Sequence, residues 1–407
     1  MLRTMRALLL APALLIPTCG AGGAPPRTAG LSRGAAAALD GRLEAAARSG
    51  EIPAVVVLVT DADRVVYAHA AGRLHAAADV PLRVDSIFRI ASMTKPLTSA
   101  AIMQLVEAGR LRLDDPASMY VPAIGQMRVA VNIRPDGSYD TRPPARPITV
   151  RDLLTHTSGI GYSWSDPLLF RLQRAGRSEA ELPLLHDPGE KWTYGASTKY
   201  LGDIVEKATG QPIDVFLKAR LFDPLGMADT GFEVPAASRS RVVTLHQRER
   251  GQLVERENPP VLRSPVRGDG GLFSTAGDYA RFLRLLLNGG RAGSARLLAE
   301  SSVREMTRNQ IGRLFVREQP VADAARAHPF PLGAGRDTWG LGFQIAGPPS
   351  RPHERSAGSY GWAGINNTFF WVDPVRRIGV IVLMQQLPFY DEAAITLLTD
   401  VEALVSG

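Results

Sequence analysis

Cysteine is almost absent from this 407-residue chain: Cys19 is the only one. No disulfide can form within it, and any thiol chemistry would have to come from the extreme N-terminal region. Lysine is nearly as scarce. Of 47 basic residues only Lys95, Lys191, Lys199, Lys207 and Lys218 are lysines, so the formal charge of +7 is carried by arginines. These arginines are scattered, with no basic run and no stripe interleaved with aromatics, which reads as a solvated surface and argues against a nucleic-acid partner. The seven histidines (His69, His75, His156, His186, His246, His328 and His353) lack metal-ligand spacing, so zinc hydrolysis is not indicated and no metal or other cofactor is called for. The single G-x-S-x-G, Gly30 to Gly34, lies in the N-terminal tail with no strand before it, so it is not the strand-to-helix nucleophile elbow of the α/β-hydrolases. No apolar run after the N-terminus approaches the length that spans a bilayer.

What is present is the composition of a globular protein, 45% hydrophobic and 21% charged, long enough for one large domain or two ordinary ones. Arg3 and Arg6 precede an apolar stretch, Ala7 to Ile16, and then small residues to Ala24. Residues 1–24 therefore read as an export signal, giving a periplasmic or secreted protein. Ile16-Pro17-Thr18-Cys19 resembles a lipoprotein box only loosely, which leaves lipidation at Cys19 as the minor alternative. Residues 25–34 form a tail.

Beyond the tail, Leu39, Leu43 and Ala46 fall at helical spacing up to Gly50. Ala54 to Thr60 is a β-branched run, and Asp61-Ala62-Asp63 turns it back into a second run, Val65 to Ala70, so a hairpin is expected. Ser92 to Glu107 reads as a buried apolar helix ending at Gly109. Between 110 and 270 the pattern is helix and loop with few strand-like runs. Within it, Thr149 and Asp152 form a capping box, and Leu201, Ile204, Val205 and Ala208 mark a helix closed by Gly210. Strand character returns at Trp339 to Ala346, Thr368 to Val372 and Ile378 to Met384, followed by a helix from Glu392 to Val405. Sheet elements at both ends around a helical middle predict an α+β fold. Its sheet domain would be formed by 35–109 and 271–407, with a helical insertion at 110–270.

The chemistry concentrates at Ser92-Met93-Thr94-Lys95. Residues three apart share a helix face, so Lys95 can set its amine beside the Ser92 hydroxyl. A serine hydroxyl needs such a base to become a nucleophile, and a buried helix start in a cleft is where an amine can serve as one. Backbone N–H groups at a helix start also favour the oxyanion of acyl transfer. This is the single S-x-x-K of the chain. Taken alone, it is matched by the plainer reading of a capping serine and a solvated lysine.

Four stretches in order change that balance: Ile90 to Lys95 (IASMTK), Leu153 to Gly159 (LTHTSG after Leu153), Pro188 to Tyr194 (PGEKWTY) and Gly270 to Asp278 (GGLFSTAGD). Together they resemble class C β-lactamase-like and penicillin-binding-protein-like serine hydrolases over about residues 36 to 405. The resemblance implies an antiparallel sheet flanked by helices, with an inserted helical domain and the site in the cleft between them. It implies Ser92 as nucleophile, Lys95 as its base partner and Tyr194 as the tyrosine of a Y-x-N motif, acting as base or proton shuttle. His156, tempting as a base, is by the same resemblance a hydrogen-bonded loop histidine.

Two departures point to a branch of that family. Ala196 replaces the Asn of Y-x-N, and Trp362-Ala363-Gly364 stands where K/H-T-G is usual. Both are found in the esterase and acyltransferase branch (family VIII), where the second oxyanion donor would be the N–H of Gly364 or Ile365. Trp362 would then offer an apolar wall to an acyl or aryl group. The expected enzyme is a carboxylesterase or acyltransferase on small-molecule substrates that prefers esters to β-lactams. The alternatives are a β-lactamase or D-amino-acid peptidase, and an inactive relative that only binds a ligand. The acyl group, the leaving group and the oligomeric state are left open.

Overall fold

The computed structural model describes residues 31–75 and 80–407. The expected export signal, most of the tail and Cys19 lie outside the described residues. The first helix, Arg33–Arg48, starts two residues inside the expected tail, because the Ser32 hydroxyl accepts the Ala35 N–H and caps it. It buries Leu39, Leu43 and Ala46.

Strand Ala54–Thr60 is buried at every position, as a continuous β-branched run requires when both faces of a sheet are covered. It lies inside an eight-stranded sheet between Ile378–Met384 and Val65–His75, antiparallel to both. Beyond Ile378–Met384 come Thr368–Asp373, Tyr360–Gly364, Gln344–Ile345 and Thr338–Trp339; Val80–Pro81 closes the other edge. Strands from the two ends of the chain are thus ladder neighbours, with Val55 opposite Met384. Helix Ala276–Leu287 packs on the central strands, and the terminal helix Glu392–Ser406 packs against Arg33–Arg48.

Helix Thr94–Glu107 is buried from Thr94 through Leu105. Its first turn differs from the expected continuous helix: Ala91–Met93 is a tight 3₁₀ turn and regular helix begins at Thr94. The capping box is present, with the Asp152 N–H donated to Thr149 Oγ1 at 3.2 Å and the Thr149 N–H donated to Asp152 Oδ2 at 2.9 Å. Helix Ser197–Thr209 buries Leu201, Ile204 and Val205 and ends at Gly210, φ 73°.

Two regions depart from expectation. The middle of the chain holds two hairpins, Val129–Val131 with Asp140–Arg142, and Leu245–Glu249 with Gln252–Arg256. The first pairs the three-residue apolar stretch Val129-Ala130-Val131 with the polar Asp140–Arg142, and the second is mostly polar on both strands. The second is set by its turn, in which Arg250 and Gly251 both have positive φ, 49° and 86°. It is extended in parallel by Gln386–Leu387 from the far end of the chain. The stretch Trp339 to Ala346, expected as one strand, is instead two short ones folded on each other. Glycine allows the break: a Cβ at Gly340 would lie 2.1 Å from the Met306 carbonyl, and one at Gly342 (φ 97°) would lie 2.3 Å from Ser99 Oγ. Among the described residues no helix is long and apolar enough to cross a membrane.

Candidate active site

Ser92 sits in the 3₁₀ turn that links strand Phe88–Arg89 to helix Thr94–Glu107. That strand pairs with Phe273–Ser274, so the GGLFSTAGD stretch forms the floor under the turn, with the Ile90 N–H bonded to Leu272 O. Its Thr275 hydroxyl accepts the Asp278 N–H and caps helix Ala276–Leu287. Tyr279 from this helix donates to Met93 O at 2.9 Å. Ala91, just before Ser92, has φ 46°, a left-handed conformation that costs a residue with a side chain roughly 1 kcal/mol or more. The turn is thus held in a strained shape from below, with Ser92 partly exposed and Lys95 buried at 1% accessibility.

Lys95 Nζ lies 3.1 Å from Ser92 Oγ. Its other polar neighbours are the Asp269 backbone oxygen at 2.7 Å and the Tyr162 hydroxyl at 3.0 Å. Tyr162 in turn donates to Asp269 Oδ2 at 2.6 Å. Burial alone would raise the Asp269 carboxyl, but the Lys95 charge and the Arg267 hydrogen bonds hold it below its usual value. The Tyr162 hydroxyl is pushed well above the phenol range, first by burial and then by the Asp269 charge. Among the described residues no carboxylate forms an ion pair with Lys95; its contacts are neutral oxygens.

Tyr194 is 3% exposed and presents its ring 5.0 Å from Lys95 Nζ. Its hydroxyl accepts the Trp362 indole N–H at 3.1 Å. Its backbone N–H goes to Gln319 Oε1 at 3.0 Å, which ties it to the 308–337 connection. Around Tyr194 stand Trp362 at 4.8 Å, His156 at 4.9 Å and Phe330 at 5.7 Å between ring centroids.

Trp362 therefore does not stand as an open wall for substrate. It is 6% exposed, lies T-shaped on Trp339 at 4.6 Å, and its one donor is committed to Tyr194. His156 also differs from the hydrogen-bonded loop histidine expected. Its Nδ1 has no partner, and the ring is packed among Tyr194, Trp339 and Trp192. Burial, then the Lys95 charge, pushes it well below the ordinary histidine value, so the ring is neutral. Ala196 caps helix Ser197–Thr209 with no side-chain bond and is 1% exposed.

Gly364 ends strand Tyr360–Gly364 directly against the nucleophile turn: a Cβ there would lie 2.3 Å from Ile90 O, so glycine alone fits. The N–H groups of Ser92 and Ile365 donate to no backbone acceptor among the described residues. The sequence reading missed Tyr162, Asp269 and Arg267. Arg267-Gly268-Asp269-Gly270 reads locally as a turn; the signal lies in its adjacency to the GGLFS stretch.

The family model described as Beta-lactamase matches residues 39–403. Lovastatin esterase of Penicillium rubens is 33% identical over 313 residues, covering 72% of this chain and 77% of the relative. Esterase EstB of Burkholderia gladioli is 31% identical over 373 residues, covering 86% and 89%. A solved structure of a mutant simvastatin synthase from Aspergillus terreus superposes with a TM-score of 0.79 at 26% identity, covering 91% of this chain and 94% of that one.

Proposed function

The chain belongs to the beta-lactamase family, and from that premise we propose that its reaction runs through an acyl-Ser92 intermediate, with Lys95 and Tyr194 moving the protons. It is a serine hydrolase of the esterase and acyltransferase kind. The observation that carries the residue assignment is the 3.1 Å approach of a buried amine to a partly exposed serine hydroxyl. A lysine that only solubilised the surface would not be buried at 1% accessibility.

In acylation, neutral Lys95 Nζ takes the Ser92 proton as Oγ bonds to the ester carbonyl carbon and the carbonyl electron pair moves to oxygen. The Ser92 and Ile365 N–H groups are the donors for that oxyanion. As the tetrahedral species collapses, Tyr194 passes a proton to the departing alkoxide. Its oxygen already accepts the Trp362 N–H, which leaves its own proton available to donate. Water, or an acceptor alcohol, then attacks the acyl-enzyme by the reverse sequence.

Substrate class follows from what the walls do not offer. A β-lactam is held by polar contacts to its carboxylate and amide, and here Ala196 has no donor while the Trp362 donor is spent on Tyr194. A hydrogen bond to a charged group contributes roughly 1.5 to 3 kcal/mol, so two missing contacts weaken lactam transition-state binding by about a hundredfold or more. An ester needs neither anchor. The test is kcat/KM for p-nitrophenyl butyrate against nitrocefin: the ester should be turned over far faster, and parity or a preference for nitrocefin would return the reading to a β-lactamase.

A further inference from the structure

An amine that is to accept a proton from one particular hydroxyl must have its lone pair pointing there. Lys95 Nζ has three polar neighbours, and two of them can only accept. The Asp269 backbone oxygen, at 2.7 Å, has no proton to give. The Tyr162 hydroxyl, at 3.0 Å, has one, but it is committed to Asp269 Oδ2 at 2.6 Å, so toward Lys95 this oxygen is also an acceptor. Two N–H bonds of a neutral amine are thereby assigned. The remaining tetrahedral direction faces Ser92 Oγ at 3.1 Å.

The carboxylate that captures the Tyr162 proton is itself clamped. Arg267 donates Nε to Asp269 Oδ1 at 2.9 Å and Nη2 to Oδ2 at 3.1 Å. Its outer edge is held by Glu179, Nη1 to Oε2 at 3.0 Å and Nη2 to Oε1 at 3.1 Å. The loop carrying both residues is pinned at Gly268, whose carbonyl accepts from Thr98 at 2.7 Å and where a Cβ would lie 2.4 Å from Thr198 O. The side chain of Asp269 is nearly fully buried, so its orientation is fixed.

We propose that Asp269, acting through Tyr162 and held by the Arg267–Glu179 pair, is a positioning residue that aims the Lys95 lone pair at the Ser92 hydroxyl. The proposal rests on the Ser92–Lys95 reading above. It also accounts for the step after proton transfer. When Nζ has taken the Ser92 proton, the ammonium carries three N–H bonds, and each already has an acceptor: Asp269 O, Tyr162 Oη and the Oγ now bonded to the acyl carbon. Both protonation states are satisfied without movement, which is what a preorganised site requires. The other titratable groups facing the amine are Tyr194, its ring centroid 5.0 Å away, and neutral His156.

The test is steady-state hydrolysis of p-nitrophenyl butyrate, as a function of pH, by full-length wild type, Tyr162→Phe, Asp269→Asn and Glu179→Gln, with Ser92→Ala run in parallel. Tyr162→Phe and Asp269→Asn should each lower kcat by roughly ten- to a hundredfold with KM within about twofold, as expected when a proton-transfer geometry is lost rather than substrate binding. A loss confined to kcat is the readout that separates positioning from a merely structural role, which would lower the folded fraction or raise KM as well. Glu179→Gln lies at the outer, partly exposed end of the chain of contacts and should give a smaller loss in the same direction with an intact fold. If Tyr162→Phe and Glu179→Gln, both folded, keep kcat within twofold of wild type and the same pH profile, the positioning role is wrong. If Ser92→Ala keeps its turnover, the underlying assignment has failed instead.

Discussion

The two flanks of Ser92 are made of opposite materials. On the Lys95 side the neighbours are oxygens and charges: a backbone carbonyl, a phenol, a buried carboxylate and a guanidinium. On the Tyr194 side they are rings, with Trp362, His156 and Phe330 around the phenol and a single hydrogen bond among them. The first flank fixes where a proton can go by assigning each donor an acceptor. The second fixes a ring by close packing, where sub-ångström shifts are resisted by every neighbour. Substitutions on the polar flank should therefore change rates with modest loss of stability, and those on the aromatic flank should change both.

The largest effect is expected where the flanks meet. Ser92→Ala should lower kcat on the order of a millionfold while leaving the melting temperature nearly unchanged, since a partly exposed hydroxyl carries little packing. Lys95→Ala should be almost as severe; near-normal turnover would break the polar half of the comparison. Tyr194→Phe keeps the ring but removes the acceptor of the buried Trp362 N–H, so denaturant titration should show a loss of about 1 to 3 kcal/mol while kcat falls by roughly a hundredfold. A near-normal rate would confine Tyr194 to packing.

Trp362→Phe tests the aromatic flank from its other end. It removes the N–H to Tyr194 and leaves space in a buried cluster, so denaturant titration should show a loss of about 1 to 2 kcal/mol together with a smaller fall in kcat than Tyr194→Phe gives. Retained stability with lost activity would make Trp362 a polar-flank residue in all but location.

The smallest effect concerns pH. His156 is held neutral, its folded value well below the unfolded one. Below about pH 6.5 the unfolded chain therefore binds a proton that the folded chain does not, and stability falls as pH drops through that value. Thermal melts at pH 5 and 7.5 should differ less for His156→Phe than for wild type. His186 and His246, also lowered by burial, keep part of the dependence in both.

What could be read from the sequence is what depends on near neighbours. Ser92 and Lys95 are three residues apart and Thr149 and Asp152 likewise, so helix geometry alone pairs them. Ala54 to Thr60 announces a strand covered on both faces by its unbroken apolar run. What escaped depends on partners that the fold brings from afar. Asp269 is 174 residues from Lys95 and Tyr162 is 67, and neither carries a local mark of its role. Of the two hairpins in the middle of the chain, one has an apolar stretch of only three residues, Val129 to Val131, and the other is mostly polar, with a turn, Arg250-Gly251, that speaks only once its φ values are known. Trp362 was visible as a substitution, but not that its indole would turn inward to Tyr194, because that depends on Trp339 and Trp192 packing beside it.

The central claim, an acyl-Ser92 intermediate, is tested most directly by intact-protein and peptide mass spectrometry on enzyme acid-quenched during turnover of p-nitrophenyl butyrate. The account predicts one butyryl group, located on the peptide containing Ser92, formed in wild type, accumulating more slowly in Lys95→Ala and absent from Ser92→Ala. Turnover with no adduct at any time point, or an adduct that persists in Ser92→Ala, would contradict it.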